Sequence, residues 1–242
     1  MDRHVKKSSE QVAVVLFSGG QDSAISLVWA LENFDKVFTI SFDYGQRHNV
    51  ELDCCDRLIN NLRKLKPHWS KKLHQKDAIK LDFIPEISDS SLTSNVKIEM
   101  TNSGLPNTFV PGRNIFFLSI AASFAYRLDA GHIVGGMCQT DYSGYPDCRE
   151  EFMRAMERSI SLGMGKSFEI HTPLMLIDKA ESWEVAENIG GLELVDVIVE
   201  GTHTCYLGVR DKLHDWGYGC GHCPACILRK SGYNKYKYGG VA

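Results

Sequence analysis

Apolar positions along this chain fall into two rhythms, short runs rich in β-branched residues and longer stretches with helical spacing, and the two take turns. Residues 12–17 are six apolar residues in a row, which predicts a strand buried on both faces, as in a parallel sheet. Two glycines follow, and then Ala24, Ile25, Leu27, Val28 and Leu31 recur as one helical face. A second strand is predicted over 37–42, then a helix over 49–65 with Leu52, Cys55, Leu58, Ile59 and Leu62 on one side, and a short third strand over 79–84. Residues 85–108 lose all periodicity and are rich in Ser, Thr and Asn; a loop this long is a lid, a binding segment or a disordered insertion. The stretch 114–128 is apolar nearly all round, so its helix should be buried against the sheet. Next come a strand over 132–137, a polar and aromatic loop over 138–149, a helix over 149–162, a strand over 168–171, a helix starting near Asp178, and an edge strand over 195–199. Residues 1–11 are polar and expected to fray. Strands that alternate with helices make βαβ units, whose crossovers leave the strands parallel. The expected fold class is α/β, a Rossmann-like parallel sheet with helices on both faces.

The 242 residues suffice for one α/β domain, placed at 1–200, with a C-terminal segment at 201–242 packed on it. The apolar share of 43% and charged share of 24% are those of ordinary globular proteins, and a net charge of −3 provides no footprint for a polyanion. Nucleic acid is therefore not expected as a partner. No apolar run approaches the roughly 18 residues that span a bilayer, and residues 1–11 lack the apolar core of a signal peptide, so a cytoplasmic protein is expected. Eight cysteines fit that compartment as thiols or metal ligands rather than as a disulfide framework.

The turn between the first strand and its helix is Ser18-Gly19-Gly20-Gln21-Asp22-Ser23. A strand, a glycine turn and a helix N-terminus converge backbone donors and a favourable dipole on one spot, which suits phosphate. Neither G-x-G-x-x-G nor G-x-x-x-x-G-K-[ST] fits here, and Gly165-Lys166-Ser167 has Ile160 where a Walker loop needs its first glycine. The motif resembles the pyrophosphate loop of the N-type ATP pyrophosphatases, which cleave ATP between its α and β phosphates. That resemblance puts Ser18, Gly19, Gly20 and Ser23 around the departing diphosphate, Asp22 beside it and its Mg2+, and Leu16, Phe17, Gln21, Ala24, Ile25 and Ser26 in the ATP-binding stretch. The plainer reading is an ordinary strand-to-helix turn.

Other candidates sit where strands end, the edge at which open α/β sheets bind ligands. Asp43 can hold a ribose or merely cap a turn, and Tyr44 can stack on a base. Arg113, beside a Pro-Gly turn and ahead of the apolar helix, needs an anion, either a ligand phosphate or a structural carboxylate. The loop with Asp141, Tyr145 and Asp147 reads as a substrate loop with rings for a flat heterocycle, or as plain solvated chain. Lys179 stands in the first turn of a helix, against the dipole, which makes it a phosphate-contact candidate. Cys54 and Cys55 are packing residues.

Cys205, Cys220, Cys223 and Cys226 form C-x14-C-x2-C-x2-C. Four thiolates at about 2.3 Å close a tetrahedral zinc shell with a structural role. A redox pair needs only two cysteines and iron–sulfur clusters use other spacings. His203, His214 or His222 could replace one thiolate. A deaminase zinc site lacks its Pro-Cys-x-x-Cys and H-x-E elements here.

Taken together, Leu16 to Ser23, then Leu105-Pro106-Asn107-Thr108-Phe109-Val110-Pro111-Gly112-Arg113-Asn114, then Thr204-Cys205-Tyr206 with Cys220-Gly221-His222-Cys223-Pro224-Ala225-Cys226 are similar to the 7-cyano-7-deazaguanine synthase family. The resemblance covers nearly the whole chain. It implies an adenine nucleotide alpha hydrolase-like fold with structural Zn2+, ATP with Mg2+, and a homodimer. It also implies that 7-carboxy-7-deazaguanine and ammonia become the nitrile through an adenylated acid and an adenylated amide, releasing AMP and diphosphate. Catalytic roles are then expected for Ser18, Asp22, Arg113 and Lys179, and substrate contacts for Arg113, Asp141, Tyr145 and Asp147. Two competing expectations are a tRNA sulfurtransferase on the same fold, carrying sulfur on Cys138 or Cys148, and a zinc-dependent interaction module whose loop only senses nucleotide.

Overall fold

The first elements are β1 (Val12–Leu16), α1 (Gln21–Asn33) and β2 (Lys36–Ile40), a parallel βαβ unit in which Val15 pairs with Thr39. This computed structural model describes residues 10–46, 50–94, 96–99, 101, 104–140 and 144–239. Asp141, Arg47, His48 and most of the N-terminal stretch expected to fray fall outside the described residues.

After β2 come β3 (Phe42–Asp43), α2 (Val50–Leu65), α3 (Pro67–Lys72), β4 (Leu73–Gln75), β5 (Ile79–Lys80) and α4 (Ile84–Ile87). The second half runs α5 (Arg113–Arg127), β6 (His132–Val134), a 3-10 turn at Pro146–Cys148, α6 (Glu150–Met164), β7 (Glu169–His171), α7 (Lys179–Gly201), β8 (Leu213–His214), β9 (Gly217–Tyr218) and α8 (Pro224–Tyr238). Five strands form one parallel sheet in the order β4-β2-β1-β6-β7. Alternate residues of β1 serve opposite faces: Ala13 and Val15 join α1, α2 and α7, while Val14 and Leu16 join α5 and α6. The expected α/β class with helices on both faces is what the chain adopts.

Three expectations need correcting. The third sheet strand is β4, not 79–84; β4 buries only Leu73 and follows α3 without a turn signal, so no apolar run announces it. Ile79–Lys80 pairs instead with β3 in a separate two-stranded ladder, and 84–87 is a helical turn. The stretch 195–199 is helical, the last turns of α7, because Leu194, Val195, Ile198 and Val199 are buried while Glu193, Asp196 and Glu200 are exposed, a 3.6-residue rhythm hidden in a short apolar run. Its helical character was further masked by Gly190-Gly191, where the helix kinks with Gly191 at φ +71°. Lastly, α5 is not buried all round. Leu118, Ala121, Ala122 and Ala125 meet the sheet, whereas Ile115 is 44% and Tyr126 54% exposed.

The C-terminal segment shares the core of the main domain. Cys205, Trp216, Cys226 and Tyr233 belong to the same buried cluster as Val15 and Phe17, and α8 lies along α7. Within the 85–108 stretch, Asn107 is a hub: its side-chain oxygen accepts from Ser91 Oγ and Glu99 N, both at 3.0 Å, and its Nδ2 donates to Lys97 O at 2.8 Å.

Candidate active site

From β1 the chain steps one way to β2 and β4, then returns past β1 to β6 and β7, so the loops after β1 and β6 diverge. Such a switch point leaves a crevice at the carboxyl ends of the strands. A cavity of about 440 Å3 occupies it, walled on one side by Ser18, Gly20 and Asp22 and on another by Gly136 and Met137. Close approach explains two glycines. Gly19 stands at φ +82°, and a Cβ there would lie 2.2 Å from Glu51 O; one on Gly136 would lie 2.8 Å from the Asp22 carbonyl carbon and Ser23 N.

The two serines brace the loop between them. Ser23 Oγ donates to Gly20 O at 3.0 Å and accepts from Ser18 N at 3.2 Å, while Ser18 Oγ donates to Ser23 Oγ at 3.1 Å and accepts from Gly20 N at 3.3 Å. Helix α1 starts with no side-chain cap, so its first-turn amides keep their donors for an anion in the cavity. Gly19 lies beneath the loop, and Ala24, Ile25 and Ser26 are buried within α1; none of the four lines the cavity, whereas Leu16, Phe17 and Gln21 do.

Lys179 reaches the same loop. Its helix is started by a capping box, in which Asp178 accepts from Ala180 N at 2.8 Å and Glu181 N at 3.0 Å and the Glu181 carboxylate accepts from Asp178 N at 2.6 Å. The anion that a lysine in this turn calls for is Asp22, whose oxygens lie 2.9 and 2.8 Å from Nζ. Gln21 Nε2 donates to Ser182 Oγ at 3.1 Å, a second tie between loop and helix.

On the opposite wall Arg113 opens α5 behind Gly112, which sits at φ +79°. Burial works against its charge, but Tyr44 and then Asp147 outweigh it and hold the guanidinium firmly protonated. Its Nε is buried without a hydrogen-bond partner among the described residues. Asp147, expected to touch substrate, is not in the cavity wall. It lies behind Arg113, accepting from Asn114 N at 3.3 Å, while Asn114 Nδ2 donates to its carbonyl at 3.0 Å. Tyr145 and Tyr44 do line the cavity, and burial raises both hydroxyls; the Tyr145 hydroxyl bonds Thr108 Oγ1. Asp43 does not line it, and its carboxylate accepts from Gly45 N at 3.3 Å, a local turn. Phe42 and Phe117 stack at 4.3 Å with 8° between planes, giving an apolar wall suited to a flat ring. Cys138 and Cys148 also reach the wall; Cys138 Sγ donates to Ile177 O at 3.3 Å.

Sequence reading missed several wall residues, among them Glu51, Arg229 and the cavity-side position of His203. Glu51 falls on the apolar stripe of α2 with Cys55, Leu58 and Leu62, a carboxylate out of place that was a usable signal. Burial pushes it up to about 7 against the pull of Arg113. Arg229 likewise sits on the buried face of α8, 1% exposed, donating from Nε to Trp216 O at 2.7 Å and from Nη1 to Thr204 Oγ1 at 2.9 Å. His203 donates its backbone N–H to Gly19 O at 3.0 Å, which fastens the glycine loop to the C-terminal segment; the sequence had offered it only as a replacement for one zinc thiolate.

Beside that fastening, the sulfurs of Cys205, Cys220, Cys223 and Cys226 converge, all within 4.8 Å of one another. Backbone amides point at them, Cys220 N at 3.5 Å from Cys205 Sγ and Cys223 N at 3.3 Å from Cys220 Sγ, as suits thiolates. The histidines stay out. His203, His214 and His222 contact the carbonyls of Cys205, Gly219 and Cys220 at 3.2, 3.0 and 3.1 Å. The cluster can hold a metal ion, and four soft donors in a closed set favour zinc. His132, His171 and Glu169 gather at the other end of the sheet, where His132 is engaged on both sides, by His171 Nε2 at 3.1 Å and Gln11 Oε1 at 2.8 Å.

The family model of the queuosine biosynthesis protein QueC matches residues 12–237, which takes in the glycine loop, Arg113, Lys179 and all four clustered cysteines. The chain belongs to the QueC family. QueC relatives match along almost their whole length: the 7-cyano-7-deazaguanine synthase of Nitrobacter winogradskyi is 55% identical over 96% of this chain and 98% of its own, and that of Nitrobacter hamburgensis is 57% identical over 93% and 95%. Among solved structures, this QueC chain is similar to a 4-thiouridine synthetase in complex with RNA and ATP, at a TM-score of 0.48 and 17% identity, over 94% of this chain and 51% of that one. No helix among the described residues is long and apolar enough to cross a membrane.

Proposed function

We propose that this chain is a 7-cyano-7-deazaguanine synthase. The observation that carries the reading is the identity of 55% or more to synthases over nearly the full chain. The reaction begins when the carboxylate of 7-carboxy-7-deazaguanine takes the adenylyl group of ATP and diphosphate leaves. Ammonia then displaces AMP to give the amide, a second ATP adenylates the amide oxygen, and loss of AMP leaves the nitrile. No protein nucleophile is needed, so the chain's task is positioning and charge stabilisation.

In this reading the amides and hydroxyls of Ser18 to Ser23 hold the diphosphate, with Lys179 beside them through Asp22. Arg113 is the guanidinium that faces the α phosphate or the acid, its unpartnered Nε being a donor to spare. The rings of Tyr44, Phe117 and Tyr145 take the deazapurine. Mg2+ bound with the nucleotide would neutralise phosphate charge, and Asp22 is the carboxylate placed to hold it. Zn2+ in the four-cysteine cluster would fasten the C-terminal segment. The protein is further expected to be a cytoplasmic homodimer, which sedimentation of the zinc-loaded protein would check.

The test is incubation with ATP, ammonium and the deazapurine acid, followed by mass spectrometry and nucleotide analysis. Nitrile with two AMP per product is expected. ADP in place of AMP, or thiolated tRNA with no nitrile, would overturn the reading.

A further inference from the structure

Each nitrogen step of the proposed reaction sheds a proton. Nitrogen attack on the adenylated acid breaks the carbon–oxygen bond to AMP and leaves a proton on the new amide nitrogen to be removed. In the second half the amide nitrogen loses one proton as its oxygen is adenylated, and the adenylated amide gives up its remaining N–H proton as the carbon–nitrogen triple bond closes and AMP departs with the carbon–oxygen electron pair. These protons need an acceptor.

Few carboxylates line the cavity, and most are spoken for. Asp22 is held at 2.8 Å by Lys179, at the phosphate end. Glu99 is on an exposed part of the 85–108 stretch and pairs with Lys97 at 3.1 Å. Glu51 differs. It rises from the first turn of α2, between the glycine loop and Arg113, and no hydrogen bond or close ion pair engages its carboxylate among the described residues. The titratable groups around it are Tyr44 after β3, Arg113 at the start of α5, Tyr206 after α7, and Cys54 and Cys55 on its own helix.

We propose that Glu51 is the proton acceptor of both nitrogen steps, taking the proton first from the attacking ammonia nitrogen and then from the adenylated amide. This rests on the synthase reading of the cavity. A half-buried carboxyl raised to about 7, with Arg113 pulling the other way, takes a proton near neutral pH and returns it to solvent between steps. An ordinary surface carboxylate is too weak a base for that work. Placement next to Arg113 also fits, because the guanidinium that steadies the adenylated carbonyl would then stand beside the base that serves the same carbon. The imidazole of His203, which also lines the wall, contacts Cys205 O on the diphosphate side of the cavity, with its backbone fixed to Gly19.

The experiment uses zinc-loaded full-length protein and the variant Glu51→Gln, which keeps size and polarity but cannot accept a proton. Three activities are compared: ATP–diphosphate exchange driven by the acid, nitrile formation from acid and ammonium, and nitrile formation from the amide. Exchange in the variant should stay within about threefold of the parent, which also shows that it is folded, while both nitrile-forming activities fall roughly 10²–10⁴-fold. The rise of kcat/KM between pH 6 and about 8 should flatten in the variant, leaving only the dependence on free ammonia, and Glu51→Asp should restore part of it. Exchange lost in step with nitrile formation would mean that Glu51 only positions ATP or Arg113, and full nitrile formation by Glu51→Gln would mean that it does nothing; either overturns the proposal. If the parent itself shows no acid-dependent exchange, the synthase reading fails first and takes this one with it.

Discussion

Lys179 and Asp22, 157 residues apart, face each other across the cavity floor with Nζ 2.9 and 2.8 Å from the two carboxylate oxygens. The lysine side chain is 8% exposed and the aspartate 26%, so the pair is partly desolvated and holds the start of α7 against the glycine loop. Removing the cation leaves an uncompensated carboxylate where diphosphate must sit. Lys179→Met should therefore lower kcat by about 10²–10³-fold and weaken nucleotide binding, and Asp22→Ala should abolish acid-dependent diphosphate release. Wild-type rates in either variant, measured by diphosphate release, would remove the pair from the mechanism.

Gly19 admits no side chain. An alanine there would meet both a left-handed backbone at φ +82° and the Glu51 carbonyl at 2.2 Å. Gly19→Ala should cost about 2–4 kcal/mol in urea unfolding, from αL strain plus overpacking, and should abolish ATP binding. A variant that binds ATP normally would show that the loop is held less tightly than this packing requires.

Chelation of the metal should act at a distance. Metal binding in a four-thiolate site contributes on the order of 10 kcal/mol to folding, and the segment it orders is fastened to the loop through His203 N to Gly19 O. Hydrogen exchange after chelation should rise first over residues 202–226 and then over 18–23, with loss of activity. Protection unchanged at 18–23 would break that link.

The 85–108 stretch should depend on Asn107. Asn107→Ala removes three side-chain hydrogen bonds that join Ser91, Lys97 and Glu99. Since Leu92 and Thr108 line the cavity, KM for the acid should rise about tenfold, with global stability lowered by about 1–3 kcal/mol. A kcat effect with KM unchanged would assign this stretch to chemistry rather than substrate capture.

Glu51 carries a stability signature separable from its chemistry. Its folded carboxyl is raised to about 7 from an ordinary 4.5, so the folded state binds more protons across that window and stability falls as pH rises through it. Glu51→Gln lifts the penalty, and at pH 8 the variant should be more stable than the parent by up to about 3 kcal/mol, with little difference at pH 4.5. Equal urea midpoints at both pH values would show that Glu51 is better solvated than its surroundings indicate.

Much of this architecture is legible in linear order because its signals are local. A β-branched run, a glycine pair and a helical stripe place β1, the loop and α1, and cysteine spacing marks the metal cluster; each depends on neighbours in sequence. Where apolar runs were short, period was ambiguous, which is why the end of α7 read as a strand and β4 went unseen. The role of Arg113 was half legible: its need for an anion follows from position, but Asp147 lies 34 residues on, and only folding showed that carboxylate standing behind it instead of in the wall. By itself the sequence determined the phosphate loop, the alternation that makes the sheet parallel, and the four thiolates. Tertiary structure alone decided that Lys179 answers Asp22, that His203 fastens the loop to the C-terminal segment, and that Glu51 lies half-buried near Arg113. These relationships join residues tens to more than a hundred positions apart, and burial and charge pairing at such separations exist only once the strand order has brought the chain together.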